Sequence, residues 1–254
     1  MAKAKLISIT DPNYEHTVAN IMLEGGIVGA IWGHHLYFLA CNAADPEAVK
    51  RLNILKKRPD DQVFASPGAI EEAEEFADFL KNPGLKYAAS EMKLSSRDYL
   101  EFLFQKFPLA VELVANEKAP KSVTFITANG KTIWVAGHMA DKNYSKLLSA
   151  VRNLRRNGKN LIFAGTSLNL RGENTLTIKE SDQVIEDFGS KLEAIVTHPE
   201  AKSLKKVRYG TSCSVVSFTG SRPKLLRLGS VSILTLKKYI PGLLISENLS
   251  HTRK

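Results

Sequence analysis

Cysteine is almost absent: Cys41 and Cys213 are the only two in 254 residues. Both sit among apolar neighbours, which suits buried free thiols in a reducing compartment and excludes a disulfide-stapled scaffold. Neither belongs to a Cys/His spacing that would hold zinc, so no metal site is expected from the protein alone. No run reaches the roughly 18 uncharged apolar residues that a membrane helix needs, and no membrane partner is expected. The opening "MAKAKLISIT" has no long apolar core and no small-residue cleavage site. A secretory leader is therefore not expected, and the expected location is the cytoplasm. Repeats, low-complexity tracts and Gly/Ser linkers are also missing. Their absence predicts one domain with a short C-terminal tail.

Positive charge is plentiful, at a net +9, and it is uneven. Residues 1–140 carry 15 Lys and Arg against 17 Asp and Glu, or −2, whereas residues 141–254 carry 20 against 9, or +11. A basic half suits a polyanionic partner, RNA first among them, and equally suits a merely basic soluble protein. Arg152, Arg155 and Arg156 stand at i, i+3 and i+4 of a basic amphipathic helix, "DKNYSKLLSAVRNLRRNG", closed by Gly158. They share one face and are the candidate RNA contacts.

Elsewhere, helical and strand patterns alternate. "GGIVGAIWG" (25–33) reads as a buried strand entered through a Gly-Gly turn. Asp45-Pro46-Glu47 opens a helix, with Asp as cap and Pro in the first turn, and this helix ends before Pro59. "GAIEEAEEFADFLKNPG" predicts one helix closed by Asn82-Pro83-Gly84, and "SSRDYLEFLFQKFP" another stopped at Pro108. "SVTFITANGKTIWVAGH" predicts a hairpin whose Asn129-Gly130 suits a type I′ turn. "NLIFAGTSLN" is a strand entering a loop, "ESDQVIEDFGSKL" a helix, and "CSVVSFTG" and "KLLRLGSVSI" are strands around a Gly-Ser-Arg-Pro turn. Strands alternating with helices, together with hairpins, predict an α/β fold with a twisted mixed sheet and helices packed on it.

One stretch concentrates chemistry. "NILKKRPDDQVFASPG" (53–68) sets three cations in a row before a proline. It is either a solvated charge run at a helix end or a clamp for phosphate, and its neighbours favour the clamp. The segment "GGIVGAIWGHHLYFLACNAADPEAVKRLNILKKRP", then "SVTFITANGKTIWVAG", "GTSLNLRG" and "TSCSVVSFTGSRPKLLRLGSVS", occur in the order of the YrdC/YciO-like family. The chain resembles that family, which includes the L-threonylcarbamoyladenylate synthases, over roughly residues 15–235.

The resemblance implies a single YrdC-like domain over residues 15–235, between a lead-in of 1–14 and a tail of 236–254, with a concave basic face. It also implies a functional tetrad, Lys-x-Arg plus Ser-x-Asn, which falls here on Lys56, Arg58, Ser167 and Asn169. Lysine is a mobile point charge for phosphate oxygens, and arginine is a planar bidentate fork. Ser and Asn on a strand-to-loop turn can bond phosphate or orient hydrated Mg²⁺. Lys57 holds the middle position, often Gly in relatives, and is expected in solvent. Ser214 and Arg227 match positions that help hold the nucleotide.

The implied activity is a nucleotidyltransferase reaction. Threonine and bicarbonate form a carbamate that attacks the α-phosphate of ATP, with Mg²⁺ assisting, and the threonylcarbamoyl-AMP formed is used to make threonylcarbamoyladenosine in tRNA. The implied partners are ATP, bicarbonate, a small amino acid or carboxylate, and tRNA or structured RNA.

The small-substrate end departs from this pattern. Relatives usually carry Pro-Thr-x-Thr where this chain has Trp32-Gly33-His34-His35, and they end the hairpin in Ala-Val-Arg where it has Ala136. That Arg meets the substrate carboxylate, and losing such a partner costs about 1.5–3 kcal/mol. The Ser-x-Asn loop also has Arg171 in place of its second Ser. His34, His35, Tyr37 and His138 are the candidates to line the rebuilt pocket. Two readings stand: a synthase, with threonine or an altered substrate, and a non-synthase paralogue binding nucleotide and double-stranded or structured RNA.

Overall fold

A computed structural model describes residues 3–32, 36–60, 62–168, 181–197 and 213–251 of the chain. Its elements run β1 (Lys5–Ser8), α1 (Tyr14–Leu23), β2 (Val28–Trp32), β3 (Leu36–Asn42) and α2 (Pro46–Leu55). Next come β4 (Ser66–Pro67), α3 (Ile70–Phe76), α4 (Pro83–Glu91), α5 (Ser96–Lys106) and β5 (Leu109–Val114). The hairpin β6 (Thr124–Thr127) and β7 (Gly130–Gly137) follows, then α6 (Lys142–Arg156), β8 (Phe163–Ser167), α7 (Ser181–Phe188) and β9 (Ala194–Thr197). The chain closes with β10 (Ser214–Ser217), β11 (Lys224–Leu228), α8 (Ile233–Tyr239) and β12 (Leu244–His251).

The mixed α/β class stands, but the strands divide between two sheets and the chain between two compact units. The first unit is Met1–Phe64 with Asp141–Gly210, and the second is Ala65–Ala140 with Thr211–Lys254. Each is built from two stretches of chain, which no linker signal could have marked. The basic half divides as well. The first unit carries 20 Lys and Arg against 15 Asp and Glu, and the second 15 against 11, giving +5 and +4.

In the first unit the sheet order is β1-β9-β2-β3-β8. β1 pairs in parallel with β9, so the expected lead-in supplies a sheet strand. β2 and β3 are antiparallel, as are β3 and β8. Residues Tyr37 to Asn42 are all buried, which is why this central strand reads as a near-continuous apolar run. Asp45 caps α2, accepting from the Glu47 and Ala48 amides at 3.0 and 3.3 Å. Asp141 caps α6 in the same way, at 2.9 and 3.0 Å.

In the second unit the order is β12-β11-β10-β5-β7-β4, with β6 also on β7. The tail contributes β12, parallel to β11. The helix predicted over 68–84 is corrected. It breaks after Phe76, where Ala77 turns extended and bridges to Ala115. Asn82-Pro83-Gly84 then opens α4 instead of closing a helix, with Pro83 in the first turn, where its missing N–H leaves no bond unmade. The hairpin is present, but its turn is not type I′. Thr127 pairs with Gly130, so Ala128 and Asn129 occupy the centre, and neither has positive φ. Gly130, at φ 94°, takes the left-handed position that follows a type I turn in a bulged hairpin.

Candidate functional site

The last turn of α2 and the end of β8 bring two parts of the predicted tetrad together. Lys56 caps α2 through its amide and the Leu52 carbonyl. Its side chain is fully buried, and Nζ donates to the Ser167 carbonyl oxygen at 2.7 Å. Ser167 ends β8, opposite Phe38 on β3. Asn169 lies outside the described residues, as do Arg171, Gly33, His34 and His35.

Lys57 is exposed, with φ at 52°. That left-handed backbone suits glycine best, the residue that the family resemblance implies at this position. It also turns the chain so that Arg58 leaves the helix axis half-buried. The Arg58 guanidinium carbon sits 5.8 Å from the centroid of the buried Phe64 ring, within cation–π range.

Asn53, which motif reading passed over, fastens this loop. Its side chain is fully buried. Its Nδ2 donates to the carbonyls of Asp60 and Gln62 at 2.9 and 3.0 Å, and its own carbonyl accepts from the Arg58 amide at 2.9 Å. A polar residue on the buried stripe of α2, between Leu52 and Lys56, was the available signal. Lys56 and Arg58 thus sit two residues apart on one anchored turn beside the end of β8. Among the described residues no group of three or more His, Cys, Asp or Glu could hold a metal ion.

The other candidates fall elsewhere in the fold. The Tyr37 hydroxyl donates to the Val196 carbonyl at 2.6 Å, tying β3 to β9 deep in the first unit. In the second unit, Ser214 is fully buried, donates to the Val231 carbonyl and accepts from the Gly229 amide at 3.0 Å. Arg227 donates from Nε and Nη2 to the Cys213 carbonyl at 3.3 and 3.1 Å. Both side chains therefore clasp β10 to the residues at and after β11. His138 is buried just beyond β7, and Ala136 is buried within it.

On α6, Arg152 and Arg155 are half-buried and Arg156 is exposed. Arg155 and Arg156 occupy the last turn, where cations offset the helix dipole. Burial pushes the Cys41 thiol up to about 12, and it raises the Cys213 thiol against the opposing pull of Arg227.

Among the described residues no helix is long and apolar enough to cross a membrane. No curated protein matches the chain. Among solved structures it is similar to a doubly substituted Sua5 of P. abyssi at 24% identity and TM-score 0.71, over 96% of this chain and 65% of that one. The P. abyssi Sua5 complexed with L-threonine is similar at 23% identity and TM-score 0.70, over 96% and 63%. YciO of E. coli is similar at 17% identity and TM-score 0.65, over 94% and 100%. These likenesses speak for the fold, and this chain spans under two thirds of the P. abyssi Sua5 chains. A family model, Sua5/YciO/YrdC, described by the words "Telomere recombination", matches residues 20–229. With that match extending over most of its length, the chain belongs to the Sua5/YciO/YrdC family.

Proposed function

We propose that the chain is a threonylcarbamoyl-AMP synthase-like nucleotidyltransferase, which joins a carbamate made from bicarbonate and a small amine to the AMP part of ATP. The observation that carries this reading is the bond from the buried Lys56 ammonium to the Ser167 carbonyl. It joins the Lys-x-Arg segment to the start of the Ser-x-Asn loop, two motifs far apart in sequence. A carbamate oxygen attacks the α-phosphorus, the bond to the bridging oxygen breaks, and pyrophosphate leaves. Lys56 and Arg58 neutralise charge that grows on the phosphate oxygens, a task for preorganised cations. Mg²⁺ bound with ATP would supply further Lewis-acid neutralisation. The acyl-adenylate formed serves modification of adenosine in tRNA.

The test is pyrophosphate release from ATP and bicarbonate as the amine is varied, with threonine as the first amine. Release that depends on an amine and is lost in Arg58→Ala supports the synthase reading. ATP binding without release for any amine leaves the second reading, a nucleotide- and RNA-binding paralogue. Ala136, on β7 where a carboxylate-reading arginine is expected, is the observation that favours that alternative.

A further inference from the structure

Two Asn-Gly pairs stand on exposed turns, Asn129-Gly130 in the β6–β7 hairpin and Asn157-Gly158 after α6. An asparagine before glycine can react with its own backbone, because glycine has no side chain to keep its nitrogen away from the carboxamide. The hairpin gives that reaction room. Gly130 is at φ 94°, and no heavy atom lies within 4 Å of the place a Cβ would occupy. After α6, by contrast, the Gly158 amide is engaged, donating to the Arg155 carbonyl at 2.9 Å.

One contact holds the Asn129 carboxamide back. Its Nδ2 donates to Thr219 Oγ1 at 2.8 Å, across 90 residues but within the second unit. Ser217 ends β10, Thr219 follows it, and both are buried. Their hydroxyl oxygens are 2.9 Å apart. Since Thr219 Oγ1 accepts from Asn129, its own proton is left for Ser217 Oγ. The exposed Asn129 is thus latched to a buried pair of hydroxyls.

We infer that Asn129 is a site of spontaneous deamidation and that the Thr219 hydroxyl sets its rate. Gly130 N attacks Asn129 Cγ, so that a new C–N bond forms and the Cγ–Nδ2 bond breaks. The Gly130 amide proton leaves with Nδ2 as ammonia. Water then opens the cyclic imide at either carbonyl, giving aspartate or isoaspartate, with no change of oxidation state. The carboxamide must turn from Thr219 toward its own backbone before the attack, so the latch has to open first. A carboxylate in its place can only accept. The two hydroxyls then reverse, Ser217 donating to Thr219 and Thr219 to the new carboxylate. The aspartate form therefore gains a negative charge and keeps its tether to the end of β10.

The test follows deamidation at residues 129 and 157 by peptide mass spectrometry, with the full chain incubated at pH 8 both folded and in urea. Thr219→Val, which keeps the shape and removes the hydroxyl, is expected to deamidate at Asn129 about fivefold faster than the parent, the factor that one net hydrogen bond contributes. Thr219→Ser is expected to keep the parental rate, and the rate at Asn157 should be the same in all three proteins. An unchanged rate at Asn129 in Thr219→Val would overturn the latch, as would a folded parent that deamidates there as fast as the unfolded chain. No deamidation at Asn129 in folded Thr219→Val would overturn the site. If Thr219→Val does not fold, the comparison of folded with unfolded parent decides.

Discussion

Asn53 offers the sharpest test of how the loop after α2 is held. Replacing it by Ala removes two buried hydrogen bonds, of 2.9 and 3.0 Å, that tie residues 60 and 62 back to α2. Each contributes about 1 kcal/mol net, and the small void left by the carboxamide adds to the loss. The Asp60 carbonyl belongs to an exposed residue, so water can replace part of what is lost there. The sum is about 2–3 kcal/mol, or a fall in melting temperature of roughly 4–12 °C for a chain of this size.

The loop also presents Arg58, whose backbone bond to the Asn53 carbonyl survives the substitution. ATP affinity should therefore fall partway, by about tenfold, which corresponds to ~1.4 kcal/mol. Asp45→Ala is the control. It removes the cap at the opposite end of the same helix, costs about 1 kcal/mol and should leave ATP affinity unchanged. The assays are a thermal melt and ATP calorimetry on both variants. An Asn53→Ala protein with parental affinity for ATP would show that Arg58 is placed independently of this anchor. Equal losses of affinity in the two variants would show only a general response to lower stability.

Four further outcomes follow from the same geometry. Arg58→Ala should weaken ATP by roughly 10- to 100-fold in calorimetry while the exposed Lys57→Ala changes it little, and equal losses would refute the clamp. Lys57→Gly should raise stability by up to about 1 kcal/mol, read in a urea melt, because glycine adopts a φ of 52° without the side-chain penalty. Affinity for duplex RNA, measured by anisotropy over a salt series, should fall linearly on a log–log plot. Arg156→Ala should flatten that slope by about one unit if the exposed end of α6 meets phosphate, and an unchanged slope would remove α6 from the contact. Cys41, with its thiol pushed up to about 12 by burial, should resist alkylation at pH 8 until the protein is unfolded, as monitored by mass spectrometry.

Short-range chemistry made the local elements around the candidate site readable in advance. Asp45-Pro46 marks the start of α2, and Lys56 and Arg58 follow at its end because capping and first-turn proline act over three or four residues. The hairpin β6–β7 and the left-handed Gly158 after α6 were legible for the same reason. The errors also came from local rules with two uses. A proline that ends one helix equally well begins the next, as Pro83 does. An Asn-Gly pair can supply the last two positions of a bulged turn as well as the centre of a tight one, and strand register decides between them.

The sequence by itself nominated the candidate residues: the Lys-x-Arg segment, the strand ending in Ser167, and Ala136, where the family resemblance implies an arginine. Tertiary structure alone decided which of them meet. Lys56 reaches Ser167 across 111 residues only because β8 pairs with β3 in one register and α2 follows β3 directly. Asn129 meets Thr219 across 90 residues only because β5 pairs with both β7 and β10. The −2 and +11 halves recombine into units of +5 and +4 because each unit takes chain from both halves. Capping and periodicity are set by neighbours along the chain. Pairing between distant strands depends on the packing of a whole sheet, and local residue patterns carry no such information.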